Sequence, residues 1–223
     1  MKVTLTNYST PTSDMIREGI EDVQDLIAYC ARVSNPSNQY NTETSEKLIR
    51  YLIKHKHFSP LEMVSVCLEI ETTRDIARQM LRHRSFSFQE FSQRYADPIK
   101  DLHFELRDAR LQDTKNRQNS IETDNSRLKE DWNMKQMEII NLAKEHYKWA
   151  IDHGIAKEQA RVILPEGNTV SRLYMHGTLR SWVHYIELRS ENGTQKEHQE
   201  IARACAQVIA EVFPMIQESI QNN

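Results

Sequence analysis

Glycine is scarce in this chain, five in 223 residues, and none stands in the spacing of a Gly-x-Gly-x-x-Gly turn or a Gly-x-x-x-x-Gly-Lys-Ser/Thr loop. Neither a Rossmann fingerprint nor a P-loop therefore carries its chemistry. Cysteine is scarcer still. Cys30, Cys67 and Cys205 are odd in number, far apart and form no Cys-x-x-Cys pair, which excludes a cysteine-only zinc site and fits a reducing compartment, the cytoplasm. No His-Glu-x-x-His run occurs, and His55 and His57, two apart, face different ways on a helix, so no metal site is expected. Nor is there a surplus of one charge: 29 basic against 32 acidic residues leave −3. That argues against a surface built throughout to grip a polyanion, so no nucleic acid is expected as a partner and any anion site must be local. No apolar run approaches the roughly 18 residues of a membrane span. With no apolar stretch behind the lysine of MKVTLTNYST, a soluble, unprocessed chain is expected.

What is present is amphipathic pattern. Val3 and Leu5 alternate like a short edge strand, and Ile16, Ile20, Val23, Ile27 and Cys30 recur as one face of a helix. Thr44 and Ser45 precede a second helix carrying Leu48, Ile49, Leu52 and Ile53, stopped at Ser59-Pro60. Val64, Val66, Leu68 and Ile70 alternate with polar neighbours and predict a half-buried strand. Thr72 and Thr73 then cap a short helix, with Asp75 placed for a capping box; its apolar face is Ile76, Ala77, Met80 and Leu81, its polar face Arg74, Arg78 and Arg82. Leu102, Phe104 and Leu106 suggest another strand, and 112–126, with one apolar residue, reads as a mobile loop or insertion. A long helix from Leu128 to Ala150, a short one from Lys157 to Leu164, a strand from Thr169 to Met175, a helix from Thr178 to Arg189 and a final helix over 201–212 complete the pattern. The expectation is an α+β fold: mixed helices with a small, mostly antiparallel sheet, in a single catalytic domain over 1–223.

Chemistry concentrates in one segment. Between Arg74 and Arg94 stand five arginines and His83 against only Asp75 and Glu90. Arginine offers a planar fork of donors that matches phosphate, and each charge-assisted hydrogen bond contributes roughly 1.5–3 kcal/mol. Ser85, Ser87 and Ser92 add hydroxyls, and Phe86, Phe88 and Phe91 add stacking or anchoring faces. Cations are also favoured at a helix C-terminus, so Arg82, His83 and Arg84 read equally as a solvated helix end.

The run RHRSFSFQEFSQRY, residues 82–95, resembles the signature of the flavin-dependent thymidylate synthases, an Arg-His-Arg triplet followed at fixed distance by a serine and an arginine. Flanking pieces resemble family segments in the same order: ARVS at 31–34, HFSPLE at 57–62, ARQ at 77–79, ARVILP at 160–165 and LRSWVHYIELR at 179–189. Two positions depart from the pattern, Met63 where a histidine often follows the glutamate and Gln89 where asparagine is usual. The resemblance implies reductive methylation of dUMP to dTMP with FAD, 5,10-methylenetetrahydrofolate as carbon donor and NADPH as reductant. It implies an FAD site at Ser59, Arg82, His83, Arg84, Glu90, Arg180 and His184, and a dUMP site at Gln79, Arg82, Glu90, Ser92, Gln93, Arg94, Arg161 and Arg189. Arg189 is the implied catalytic residue, a fixed cation that polarises the uracil ring. A homotetramer with active sites at subunit interfaces is implied as well. Two other functions compete on composition alone: a nucleic-acid-binding module using the 74–94 arginines, and a nucleotide hydrolase or structural subunit.

Overall fold

The computed structural model describes residues 1–217. Strand β1 (Lys2–Tyr8) leads to helices α1 (Ser13–Arg17) and α2 (Val23–Ala31). The single helix expected over 16–30 is thus two, because Gly19 takes a left-handed φ of 87° and Asp22 starts a new helix by accepting from the amide of Asp25 at 2.9 Å. Helix α3 (Ser45–Lys54) follows, then a 3-10 turn over Ser59–Met63, strand β2 (Ser65–Thr73) and helix α4 (Arg74–Met80). Strand β3 (Ser87–Glu90), helix α5 (Pro98–Asp101), strands β4 (Arg110–Gln112) and β5 (Ser120–Glu122), and helices α6 (Ser126–Asp152) and α7 (Lys157–Ala160) come next. Strand β6 (Val170–Thr178) and helices α8 (Leu179–Ser190) and α9 (Lys196–Ile209) close the described chain.

The main sheet is antiparallel throughout, in the order β1-β2-β6-β3. The alternation that predicts β2 holds: Val66, Leu68 and Ile70 are buried and pair with Gly177, Met175 and Leu173 of β6. Helices α2, α3, α8 and α9 cover that face, and their apolar stripes join the strands in one core. Removing such side chains from water is the main source of stability here, roughly 25 cal/mol per Å² of apolar surface.

Further expectations differ from the structure. The strand expected over 102–106 is a single bridge between Phe104 and Thr169, because Asn168 and Gln136 side chains take up the backbone groups of Glu105 and Arg107 instead. Strand β3 lies inside the arginine-rich segment, where no strand was expected although Phe86 and Phe88 alternate with Ser85, Ser87 and Gln89. The 112–126 stretch contributes strand β5 to a two-stranded hairpin. Among the described residues no helix is long and apolar enough to cross a membrane.

Candidate active site

Helix α4 delivers the arginine-rich segment. Its expected capping box is replaced: the Thr73 hydroxyl donates to Asp75 at 2.5 Å, and Arg107 Nη2 donates to both residues, 2.8 Å from Asp75. The chain then turns at 81–86 and is pinned by Phe86, which packs edge-on against Trp182 with ring centroids 4.8 Å apart. Gly177 of β6 lies directly beneath. A Cβ there would come within 2.5 Å of the Phe86 ring, so only glycine lets the ring seat. This fixes His83 half-buried under α8 and leaves Arg82, Arg84 and Ser85 exposed.

Arg189, in the last turn of α8, donates from Nε to His83 Nε2 at 2.9 Å. Burial pushes the His83 pKa down to about 4, helped by the cations of Arg189 and, when protonated, His184, and by Arg82. His83 is therefore neutral near pH 7, with Nε2 accepting and Nδ1 carrying the hydrogen. The Nη groups of Arg189 have no hydrogen-bond or ion-pair partner among the described residues. Beside this pair lies Gln79, bonded to Gln195 at 2.8 Å and to the buried His198 at 3.1 Å.

Glu90, at the end of β3, gathers the opposite face of α4. Its carboxylate accepts from Ser171 Oγ at 2.8 Å and stands 3.6 Å from Arg74 Nη1 and 3.5 Å from Arg78 Nη1. Burial lowers the Arg74 pKa, and Arg161 is among the like charges near it. Arg94 is exposed and ion-paired with Glu158 at 3.3 Å, three residues before Arg161. The Ser92 hydroxyl accepts from the Arg94 amide at 3.3 Å. Gln93 is buried with its Nε2 unpartnered, a costly state that invites an acceptor.

A cleft of about 550 Å³ lies between the 59–63 turn and α8, lined by Phe58, Glu62, Ser85, Thr178, Arg180, Ser181, His184 and Glu187. Arg180 is ion-paired with Glu62 and His184 is exposed at its wall. Burial pushes the Glu187 carboxyl above its ordinary value. Ser59 is exposed where the turn begins.

The sequence-derived residues thus fall into neighbouring groups on one chain. Gln79, His83 and Arg189 cluster, with Arg82 and His184 acting on the same imidazole; Glu90 joins Arg74 and Arg78; Arg94 and Arg161 flank α7; Arg180 lines the cleft. Among the described residues, Arg84 and Ser59 make no side-chain hydrogen bond or ion pair with the others. Sequence reasoning missed Glu62, Ser171, Tyr185, Gln195 and His198. His198 had a signal, since it extends the Ile201 and Cys205 stripe one step toward the N-terminus at helical spacing. The cysteine thiols are free, and burial raises the pKa of all three, so none is poised as a nucleophile.

The family model described as "Thymidylate synthase complementing protein" matches residues 16–215. A "Probable flavin-dependent thymidylate synthase" of Paramecium bursaria Chlorella virus 1 is 48% identical over 203 residues, 91% of this chain and 93% of that protein. A "Flavin-dependent thymidylate synthase" of Synechocystis is 48% identical over 198 residues, 89% of each. Among solved structures, a UMP/dUMP methylase PolB from Streptomyces cacaoi bound with 5-Br dUMP matches with TM-score 0.78 at 24% identity, over 99% of this chain and 94% of that one, a likeness of fold. A family match across 16–215, joined by relatives at 48% identity over most of their length, leads to one conclusion: this chain belongs to the flavin-dependent thymidylate synthases.

Proposed function

We propose that this chain reductively methylates dUMP to dTMP, with 5,10-methylenetetrahydrofolate as carbon donor, FAD as cofactor and NADPH as reductant. The observation that carries the reading is Arg189, fixed through Nε by a neutral His83 while its terminal nitrogens stay available. A guanidinium held in place before substrate arrives stabilises negative charge as it develops on a pyrimidine ring, without reorganising. It cannot act as a base, since it stays protonated at neutral pH. Nothing nearby competes as a nucleophile: Cys67 and Cys205 are buried, Cys30 is partly so with its thiol pKa raised, and Ser92 has no histidine within hydrogen-bonding distance among the described residues.

For dUMP, the ligands are Gln79, Arg82, Glu90, Ser92, Gln93, Arg94, Arg161 and Arg189. Arg94 and Arg161 supply cations for the phosphate, and the orphaned Gln93 amide supplies a donor. The cleft along α8 suits a phosphate-bearing aromatic cofactor, because the Arg180 guanidinium, the Thr178 and Ser181 side chains and the Phe58 ring line it together. Ser59, Arg82, His83, Arg84, Glu90, Arg180 and His184 would hold FAD. When bound, FAD supplies the hydride that completes the new methyl group. The Arg180 pair with Glu62 keeps that cation facing the cleft.

The active assembly is a homotetramer with sites at subunit interfaces. Support comes from α6, where Leu128, Trp132, Ile139, Leu142 and Trp149 recur at spacings of three, four and seven and all stand exposed. An uncovered heptad stripe of this size is the mark of a helix that packs against another chain. The cytoplasm suits the three free thiols.

Tritium release from 5-tritiated dUMP tests the reaction. Release that requires methylenetetrahydrofolate, FAD and NADPH together is the expected outcome, and release from enzyme stripped of flavin would sink the reading.

A further inference from the structure

Behind the side chains that would face substrate lies a row of hydrogen bonds, buried at its Tyr185–His198 end and part-buried beyond. Tyr185 Oη is 3.0 Å from His198 Nε2, and His198 Nδ1 is 3.1 Å from Gln79 Oε1. Gln79 Nε2 is 2.8 Å from Gln195 Oε1, and Gln195 Nε2 is 2.9 Å from Glu197 Oε2. The row ends on a carboxylate gripped by two arginines, with Arg107 Nη1 at 3.0 Å and Arg110 Nη2 at 2.5 Å. Burial opposes the charge on Glu197, but the backbone amide at the start of α9 and the Arg107 cation outweigh it and hold the carboxyl below its ordinary value.

That terminus dictates every direction upstream. A carboxylate only accepts, so Gln195 must turn its amide nitrogen toward Glu197 and its oxygen toward Gln79. Gln79 must then donate from nitrogen to Gln195, which leaves its oxygen facing His198. An amide oxygen only accepts as well, so His198 carries its hydrogen on Nδ1, and Nε2 accepts from the Tyr185 hydroxyl.

We infer that His198 is a positioning residue for the pyrimidine nucleotide: as the Nδ1–H tautomer it locks the Gln79 amide in one of its two orientations. Gln79 keeps one amide hydrogen and one oxygen lone pair free, and the relay fixes where each points. His198 is fully buried, and that burial with the Arg189 cation pushes its pKa down to about 3, so the ring stays neutral and the relay intact across the working pH range. The Tyr185 ring also packs edge-on against His83 at 4.9 Å, which ties the relay to the support of Arg189. The inference rests on the reading of Gln79 as a dUMP ligand.

The test is a double-mutant cycle on flavin-loaded enzyme, with the dUMP dissociation constant read by calorimetry. His198→Asn keeps a donor where Nδ1 stood and is expected to stay within about threefold of wild type, whereas His198→Gln, which keeps only the Nε2 side, is expected to weaken dUMP about tenfold, the size of one lost hydrogen bond. On a Gln79→Ala background, itself weakened, His198→Gln should cost nothing further. An equal loss on both backgrounds makes His198 a general packing residue and overturns the inference. If Gln79→Ala alone leaves dUMP affinity untouched, the Gln79 assignment falls and takes the inference with it, an outcome told apart by that single variant. Should His198→Gln fail to fold, the 15N spectrum of histidine-labelled wild-type enzyme decides: a His198 ring protonated at Nδ1 supports the relay, and one protonated at Nε2 overturns it.

Discussion

Helices α8 and α6 use apolar residues in opposite ways. In α8, Leu179, Trp182, Val183, Tyr185 and Ile186 are all buried within the chain's own core, and the same twelve residues present Arg180, His184 and Arg189 to the candidate site. In α6, 27 residues long, only Gln136, Ile140, Ala143, Tyr147 and Ala150 are buried, while a second stripe with two tryptophans faces outward. Each stripe has helical spacing, so periodicity alone does not separate them. The difference teaches that the geometry around Arg189 is settled within one chain, whereas the outer apolar stripe of α6 is left uncovered by the chain's own core.

The largest effect should follow from Arg189→Ala. Loss of about a thousandfold or more in dTMP formation is expected, in line with removal of a preorganised charge-stabilising donor, with flavin content and Tm close to wild type. Loss of flavin or of folding would mean that α8 holds Arg189 for structure. The two tryptophans then break or sharpen the contrast directly. Trp182 is fully buried and donates from its indole to the Val66 carbonyl at 3.0 Å; Trp182→Ala should cost about 3–5 kcal/mol in urea unfolding. Trp149 is 54% exposed and stacks only on His153. Trp149→Ala together with Ile139→Glu should leave far-UV circular dichroism unchanged but shift the sedimentation coefficient toward a smaller species. A single-chain fold that melts on those changes would show that α6 belongs to the internal core.

Much of the fold was legible in the residues, and the illegible part has physical causes. The β2 strand and the two faces of α4 follow from spacing, because each buries one face in the core, and the α8 helix follows from its Thr178 cap. The split at Gly19 depends on a backbone angle that a stripe of apolar residues conceals. Strand β3 was hidden because its partner β6 lies more than eighty residues away and its register is set by Phe86 seating on Gly177. In the site, the arginines announced themselves by composition. The relay through Tyr185, His198 and Gln195 did not, since long-range hydrogen bonds leave no local pattern.

The buried histidines give a pH test of the same contrast. Both His83 and His198 have folded pKa values below the ordinary 6.5, at about 4 and about 3. As pH falls through 6.5 the unfolded chain takes up protons that the folded chain refuses, so stability drops until the folded values are reached. For the fully buried His198 the slope is at most roughly 1.4 kcal/mol per pH unit. Urea unfolding at pH 7 and pH 5 should therefore show a loss that is smaller in His198→Asn than in wild type. Equal losses would mean that His198 is not a refusing group.

The smallest effect concerns Arg94, whose ion pair with Glu158 is about half exposed on both sides. Such pairs contribute about 0–1 kcal/mol, so Glu158→Gln should leave Tm almost unchanged. If Arg94 is a phosphate ligand, however, Glu158 and the nucleotide compete for one guanidinium. Neutralising the carboxylate removes that competitor and the repulsion it exerts on an approaching dianion, which in an exposed setting is worth a fraction of a kcal/mol. The dUMP dissociation constant should accordingly fall by about twofold at low ionic strength and return to the wild-type value as salt rises. A salt-independent change, or a weakening, would place Arg94 outside the phosphate site and leave Arg161, at the far end of α7, to carry the anion.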